Sequence, residues 1–288
     1  MRHRWLGSAL LAAGLFGFAP LAQAAARLGP LPGPLRIIGA GTGCIVGASL
    51  LPPKGPGYEV IRAPISSFWG APETIHGVEL LGREAQAAGL PMLYIGDLSG
   101  PRGGPLSGGH VAHQRGVDVD IYLDTDPKPP LPQSALNTLT PPPIVPYGAT
   151  HVDPSEWSAK TITLIHLATE LPGLNRLLVD PIIKRRLCET VTGDRSWLHK
   201  VRPWWGHWAH MHLHFSCPPG QPECINQAPI PPGDGCDQTL AWWFEPNGTV
   251  RPPPPPKPGA HPPALPAACA PILGDEKPED RPPGAEAN

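Results

Sequence analysis

Two short stretches of this chain alternate residue by residue, and that alternation limits its fold more than anything else in it. From Val117 to Leu123, the apolar Val117, Val119 and Ile121 alternate with Asp118, Asp120 and Tyr122. From His210 to Phe215, His210, His212 and His214 alternate with Met211, Leu213 and Phe215. A period of two marks a β-strand with one face in the core. The opposite face then carries carboxylates on one strand and imidazoles on the other. Such a face is expensive to bury without partners. The windows 107–120 and 207–214 together hold six of the twelve histidines.

The spacing points to metal chemistry. His113 and Asp120 are seven positions apart, which does not suit two ligands on one helix face. It suits a ligand at the end of a loop, a turn at Gly116, and a second ligand projecting from the strand that follows. His210 and His212 share a strand face. Two such strands can set His113, Asp120 and one late histidine around a single ion. Two imidazoles and a carboxylate leave a fourth position for water, the open site of a catalytic Zn²⁺. A neighbouring histidine would shuttle the proton to a leaving amine. A rival reading is a non-catalytic metal carrier, because His210-Met211-His212 has donors that suit copper.

Other residues read more plainly. Asp118 is expected behind the ligands or at the surface. His76, His166 and His199 are expected in the core. Ser107, in a glycine-rich loop, reads as turn chemistry, since no strand-turn-helix elbow surrounds it. Trp204, Trp205 and Trp208 flank His207 and read either as core or as an apolar stacking wall for a substrate.

Composition bounds the fold. The chain of 288 residues has 44 prolines and 33 glycines, so turns and loops dominate. Its formal charge of −2 comes without a basic patch, which excludes a nucleic-acid partner. Met1 to Arg4 is basic, Trp5 to Phe18 is apolar, and Ala22-Gln23-Ala24 is a small-x-small site, so residues 1–24 read as a cleaved signal peptide. No stable membrane insertion is expected after cleavage, and the mature chain is expected to be secreted. Six cysteines, Cys44, Cys188, Cys217, Cys224, Cys236 and Cys269, read as disulfides of an oxidising compartment. Spacing alone does not choose their pairing, although Cys217 and Cys224 could close a small loop.

Periodicity predicts strands over 59–65, 93–95, 117–123, 177–180 and 211–215, and helices over 74–88, 155–170 and 181–188. Residues 25–43 are expected to wrap the surface, and 124–150 to form a long Pro-rich loop. The expected domains are 1–24 (signal peptide), 25–250 (the metallopeptidase domain) and 251–288 (a Pro-rich tail without periodicity, pinned by Cys269).

Longer strings carry a specific resemblance. They are Gly43-Cys-Ile-Val-Gly-Ala48, Ile95-Gly-Asp97, Gly108-Gly-His110 running through His113 to Asp118-Val-Asp120-Ile121, Asp194-Arg195, Trp197-Leu198, Lys200-Val-Arg-Pro-Trp204, Ala209-His-Met-His212, Cys217-Pro218 and Gly233-Asp-Gly-Cys236. Across most of the mature chain these resemble the penicillin-insensitive murein endopeptidases, within the lysostaphin-like, D-Ala-D-Ala-cleaving and hedgehog-like metallopeptidases. The resemblance implies an α+β fold, with a central antiparallel sheet bearing the ligands and helices on one side. It implies a Zn²⁺ held by His113, Asp120 and His212, with His210 beside the nucleophilic water and His207 a second active-site histidine. His110 matches a position linked to metal binding, with His151 its candidate partner for a second ion. The chain departs from the family there, since Tyr147-Gly-Ala-Thr150 lacks the acidic residue that precedes this histidine in relatives. His214 stands where relatives carry Arg. The implied disulfides are Cys44–Cys269, Cys188–Cys236 and Cys217–Cys224. The implied substrate is the peptide stem of peptidoglycan, cut at D-alanyl–meso-diaminopimelyl cross-links. A related enzyme trimming terminal D-amino acids is the alternative activity.

Overall fold

The computed structural model describes residues 29–62, 67–106, 111–255 and 263–274. The expected signal peptide, Ser107, His110 and the distal tail lie outside the described residues. Among the described residues eleven strands form, in chain order β1 (Arg36–Gly39), β2 (Gly43–Val46), β3 (Ser49–Leu50), β4 (Lys54–Gly55), β5 (Tyr58–Val60), β6 (Trp69–Gly70), β7 (Leu93–Ile95), β8 (Asp118–Tyr122), β9 (Leu174–Val179), β10 (Val201–Pro203) and β11 (His210–Phe215). Three longer helices are α1 (Pro72–Ala87), α2 (Ala159–Thr169) and α3 (Pro181–Thr190).

Seven strands make one sheet in the order β10-β9-β11-β8-β7-β5-β4. The two alternating strands, β8 and β11, pair antiparallel near its middle. The sheet is mixed, not purely antiparallel, because β10 runs parallel to β9 and β5 parallel to β7. The α+β class stands, with the antiparallel character confined to the strands around the site.

The helices begin and pack for local reasons. Pro72 and Pro181 sit in first turns, where no backbone donor is lost. Ser158 and Thr161 form a reciprocal capping box on α2, and the Asp180 carboxylate accepts from Ile182 N at the start of α3. Ile75, Val78 and Leu81 of α1, Leu164 and Ile165 of α2, and Ile183 and Leu187 of α3 join one hydrophobic cluster. That cluster also holds Val119 and Ile121 of β8 and Met211 and Leu213 of β11. The apolar faces of the alternating strands thus lie in the core, and their polar faces point away from it. No helix among the described residues is long and apolar enough to cross a membrane.

Three expectations need correction. Residues 36–46 do not merely wrap the surface: β1 and β2 pair antiparallel, and Ile37 and Ile45 are fully buried. Each strand is too short to show a period. The tail does not lack structure throughout, since Ala267–Leu273 forms a short helical segment whose Ile272 and Leu273 pack against Ile38 and Cys44. His76 and His166 are exposed, the latter stacked on Trp197, and His199 is half-buried with Nδ1 bonded to Gly233 O. The cysteines bond as Cys44–Cys269, Cys188–Cys236 and Cys217–Cys224, the pairing the resemblance implies.

Candidate metal centre

The register of β8 against β11 assembles the site. Asp120 lies opposite His212, Asp118 opposite His214, and Tyr122 opposite His210. Directly opposed residues on one face of a ladder touch. His212 Nδ1 donates to Asp120 Oδ1 at 3.0 Å. Its Nε2 is 3.0 Å from Asp118 Oδ1, which also accepts from His214 Nδ1 at 2.6 Å.

His113 arrives from a different element. It lies on a 3-10 turn, Ala112–Arg115, that ends at Gly116 with φ 71°. A Cβ on Gly116 would meet Ile45 Cδ1 at 2.9 Å, so the expected turn requires glycine for its conformation and its space. The turn is clamped from below. Gly104 N donates to Gln114 O, and the buried Arg115 donates through Nη1 to Gly39 O and Ile225 O. His113 Nε2 comes to 3.4 Å from Asp120 Oδ1. Its ring meets that of His212 edge-on, centroids 4.7 Å apart.

His113, Asp120 and His212 are all buried, and one donor atom of each lies within 4.8 Å of the others. Two nitrogens and a carboxylate oxygen so close together form a donor set that fits a Zn²⁺-type ion with an open position. His212 Nδ1 faces this group, and its Nε2 faces Asp118. Burial would raise the Asp120 carboxyl, but His113, His210 and His212 outweigh it and hold the group well below the usual carboxylate range. Burial likewise opposes charge on His212, yet its bonds to Asp118 and Asp120 raise it to about 10. In the metal-free protein a proton therefore sits where a cation would bind, and binding must displace it.

Two further histidines line the group. His210 Nε2 is 3.7 Å from Asp120 Oδ2, with a partly exposed side chain. His207 lies 5.0 Å from His210 and 5.7 Å from His212, ring centre to ring centre. Its Nδ1 donates to Trp205 O at 2.6 Å, which leaves Nε2 as an acceptor. Burial, then the neighbouring imidazoles, push His207 down to about 3, so it is neutral.

His214 stands apart from the three-residue group and meets Asp118 instead. His151 is exposed, shares a 2.8 Å hydrogen bond with Thr150, and lines a separate cavity with Trp157 and Arg186. No second metal-capable group of three forms among the described residues. Met211 is fully buried in the core, on the face opposite His210 and His212, so its sulfur supplies no donor to the group. The sequence reading left Asp118 between two places; it is wholly buried, behind His212. The buried Arg115 was missed. Its only signal was its place between His113 and Gly116.

Comparison with known proteins gives a consistent picture. The family model described as penicillin-insensitive murein endopeptidase matches residues 37–274. A protein of that name from Haemophilus influenzae is 44% identical over 220 residues, covering 75% of this chain and 72% of the relative. One from Klebsiella pneumoniae subsp. pneumoniae is 42% identical over 253 residues, covering 85% and 89%. One from Salmonella paratyphi B is 40% identical over 249 residues, with the same coverage.

Proposed function

Because this chain belongs to the penicillin-insensitive murein endopeptidase family, we propose that it is a zinc-dependent hydrolase of peptidoglycan cross-links, cutting D-alanyl–meso-diaminopimelyl bonds in the periplasm. The observation that carries the zinc assignment is the buried group of His113, Asp120 and His212. An ion held there would polarise the scissile carbonyl and lower the pKa of an attacking water.

The chain's own residues do the rest. Asp118 accepts from His212 Nε2 and so fixes that ring with Nδ1 toward the donor group. His210, beside Asp120 and reachable from solvent, is placed to take the proton of the water and hand it to the leaving amine. His207 keeps Nε2 as a hydrogen-bond acceptor, because Trp205 O holds its other nitrogen. The reaction needs no serine ester, which agrees with the penicillin insensitivity in the family's description.

Purified cross-linked muropeptides test this directly, by mass spectrometry with and without chelator. Dimers should fall to monomers with Zn²⁺ and persist without it; dimers that survive with Zn²⁺ sink the proposal. His113→Ala and His212→Ala should lose the ion and the activity. His210→Ala should keep the ion and lose about 10²–10⁴-fold in turnover.

A further inference from the structure

Four tryptophans gather outside the core, and the backbone of one of them, Trp205, meets His207. Trp205 lies 5.4 Å from Trp204, 4.4 Å from Trp243 and 6.3 Å from Trp242, ring centre to ring centre. None of the four belongs to a hydrophobic core cluster of the described residues. Trp204 and Trp242 are 49% and 51% exposed. Aromatic surface held open in this way marks a place where something else binds. The cluster is tied to the candidate metal centre through its backbone, since Trp205 O accepts from the ring of His207.

The chemistry of the surface says what it takes. Among the described residues one cation stacks on these rings: Arg251, 5.5 Å from the centre of the Trp242 ring, donates to Trp242 O and Phe244 O and faces Glu245. Its charge is therefore met within the protein, and the rings of the cluster stand at 53–88° to one another, so each exposed indole offers a face of its own. A peptide stem carries carboxylates and ammonium groups, and among the described residues the charges at these rings, Arg251 and Glu245, already face each other. A pyranose ring presents a face of C–H bonds to an indole and keeps its hydroxyls at the edge, in water. We propose that Trp204 and Trp242 form a subsite for the amino-sugar rings of a glycan strand, holding the polymer while its peptide reaches His207 and His210. This rests on the murein endopeptidase reading, and it adds the sugar as a recognised part of the substrate.

The test compares one cross-linked peptide dimer with and without its disaccharides, using the full chain loaded with Zn²⁺. Wild type should show kcat/KM about tenfold higher on the sugar-bearing dimer, carried mainly by KM. The Trp204→Ala/Trp242→Ala variant should lose that advantage and keep the wild-type rate on the sugar-free dimer. Equal losses on both substrates would assign the surface to the peptide, and no loss on either would leave it without a role; both overturn the proposal. Binding of glycan strands stripped of peptide, followed by fluorescence, separates the two readings. If wild type cleaves neither dimer, the endopeptidase reading fails. The subsite then stands or falls on whether wild type binds these strands about tenfold more tightly than the variant, with folding of both checked by circular dichroism.

Discussion

Asp118→Asn removes a charge from behind the proposed ligand while changing almost no volume. Asp118 is wholly buried, and its Oδ1 takes bonds from His212 Nε2 at 3.0 Å and His214 Nδ1 at 2.6 Å. Oδ2 is buried with no hydrogen-bond partner among the described residues. An asparagine amide fits neither way round. With its NH₂ at the Oδ2 position, two donors are buried without acceptors; flipped, donors face donors. An unmet buried polar group costs about 1–3 kcal/mol. Taking about 2 kcal/mol, the metal-free protein should melt roughly 4–8 °C lower. The loaded protein loses something further. A carboxylate behind a ligating imidazole fixes its tautomer and raises its basicity, and removing such a partner costs about 10–100-fold in metal affinity or activity. Zn²⁺ affinity, measured by competition with a chelating dye, should therefore fall by that factor, near 1.4–2.7 kcal/mol. The same measurement on His212→Ala should show almost complete loss. If His212→Ala loses the ion while Asp118→Asn binds and turns over as wild type does, Asp118 has no positioning role.

Two further outcomes follow from the same residues. His207 is pushed from 6.5 to about 3 in the folded protein, so the native state favours its neutral form and the stability this contributes is complete above pH 6.5 and declines as pH falls toward 3. In chelator, the melting temperature of His207→Gln should fall less steeply than wild type below pH 6.5, and parallel curves would refute the assignment. Among the disulfides, Cys44–Cys269 spans 225 residues and Cys217–Cys224 only seven. Replacing the first pair with serine should cost about 5 kcal/mol and the second about 2, and the reverse order in denaturant midpoints would contradict the chain-entropy account.

How much of this was legible in the sequence depended on the length of each signal. α1 could be read because Ile75, Val78 and Leu81 repeat over sixteen residues. β8 and β11 could be read because five or six residues alternate without a break. β1 and β2, four residues each, carry no period, and only pairing makes them strands. The support beneath His113 therefore went unseen, although β1 and the loop after Cys224 supply the carbonyls that hold Arg115. Solvent exposure was not legible either. His76 and His166 read as core because histidine carries no sign of which way a helix face will turn, and the indoles of Trp204 and Trp242, which read equally well as core, are half exposed.

The division of labour among the histidines follows from register more than from identity. Chemically, His210, His212 and His214 are the same group on the same strand face. Pairing sets His212 opposite Asp120, His214 opposite Asp118 and His210 opposite Tyr122. Among the described residues, His212 meets a carboxylate at each ring nitrogen, His214 lies behind the group against Asp118, and the partly exposed His210 stands beside Asp120. A slip of one residue would turn Met211 and Leu213 toward the carboxylates and carry all three imidazoles into the core. The buried Met211 and Leu213, with Val119 and Ile121 beside them, make that slip costly. The core on one face of the sheet thus holds the chemistry on the other in place.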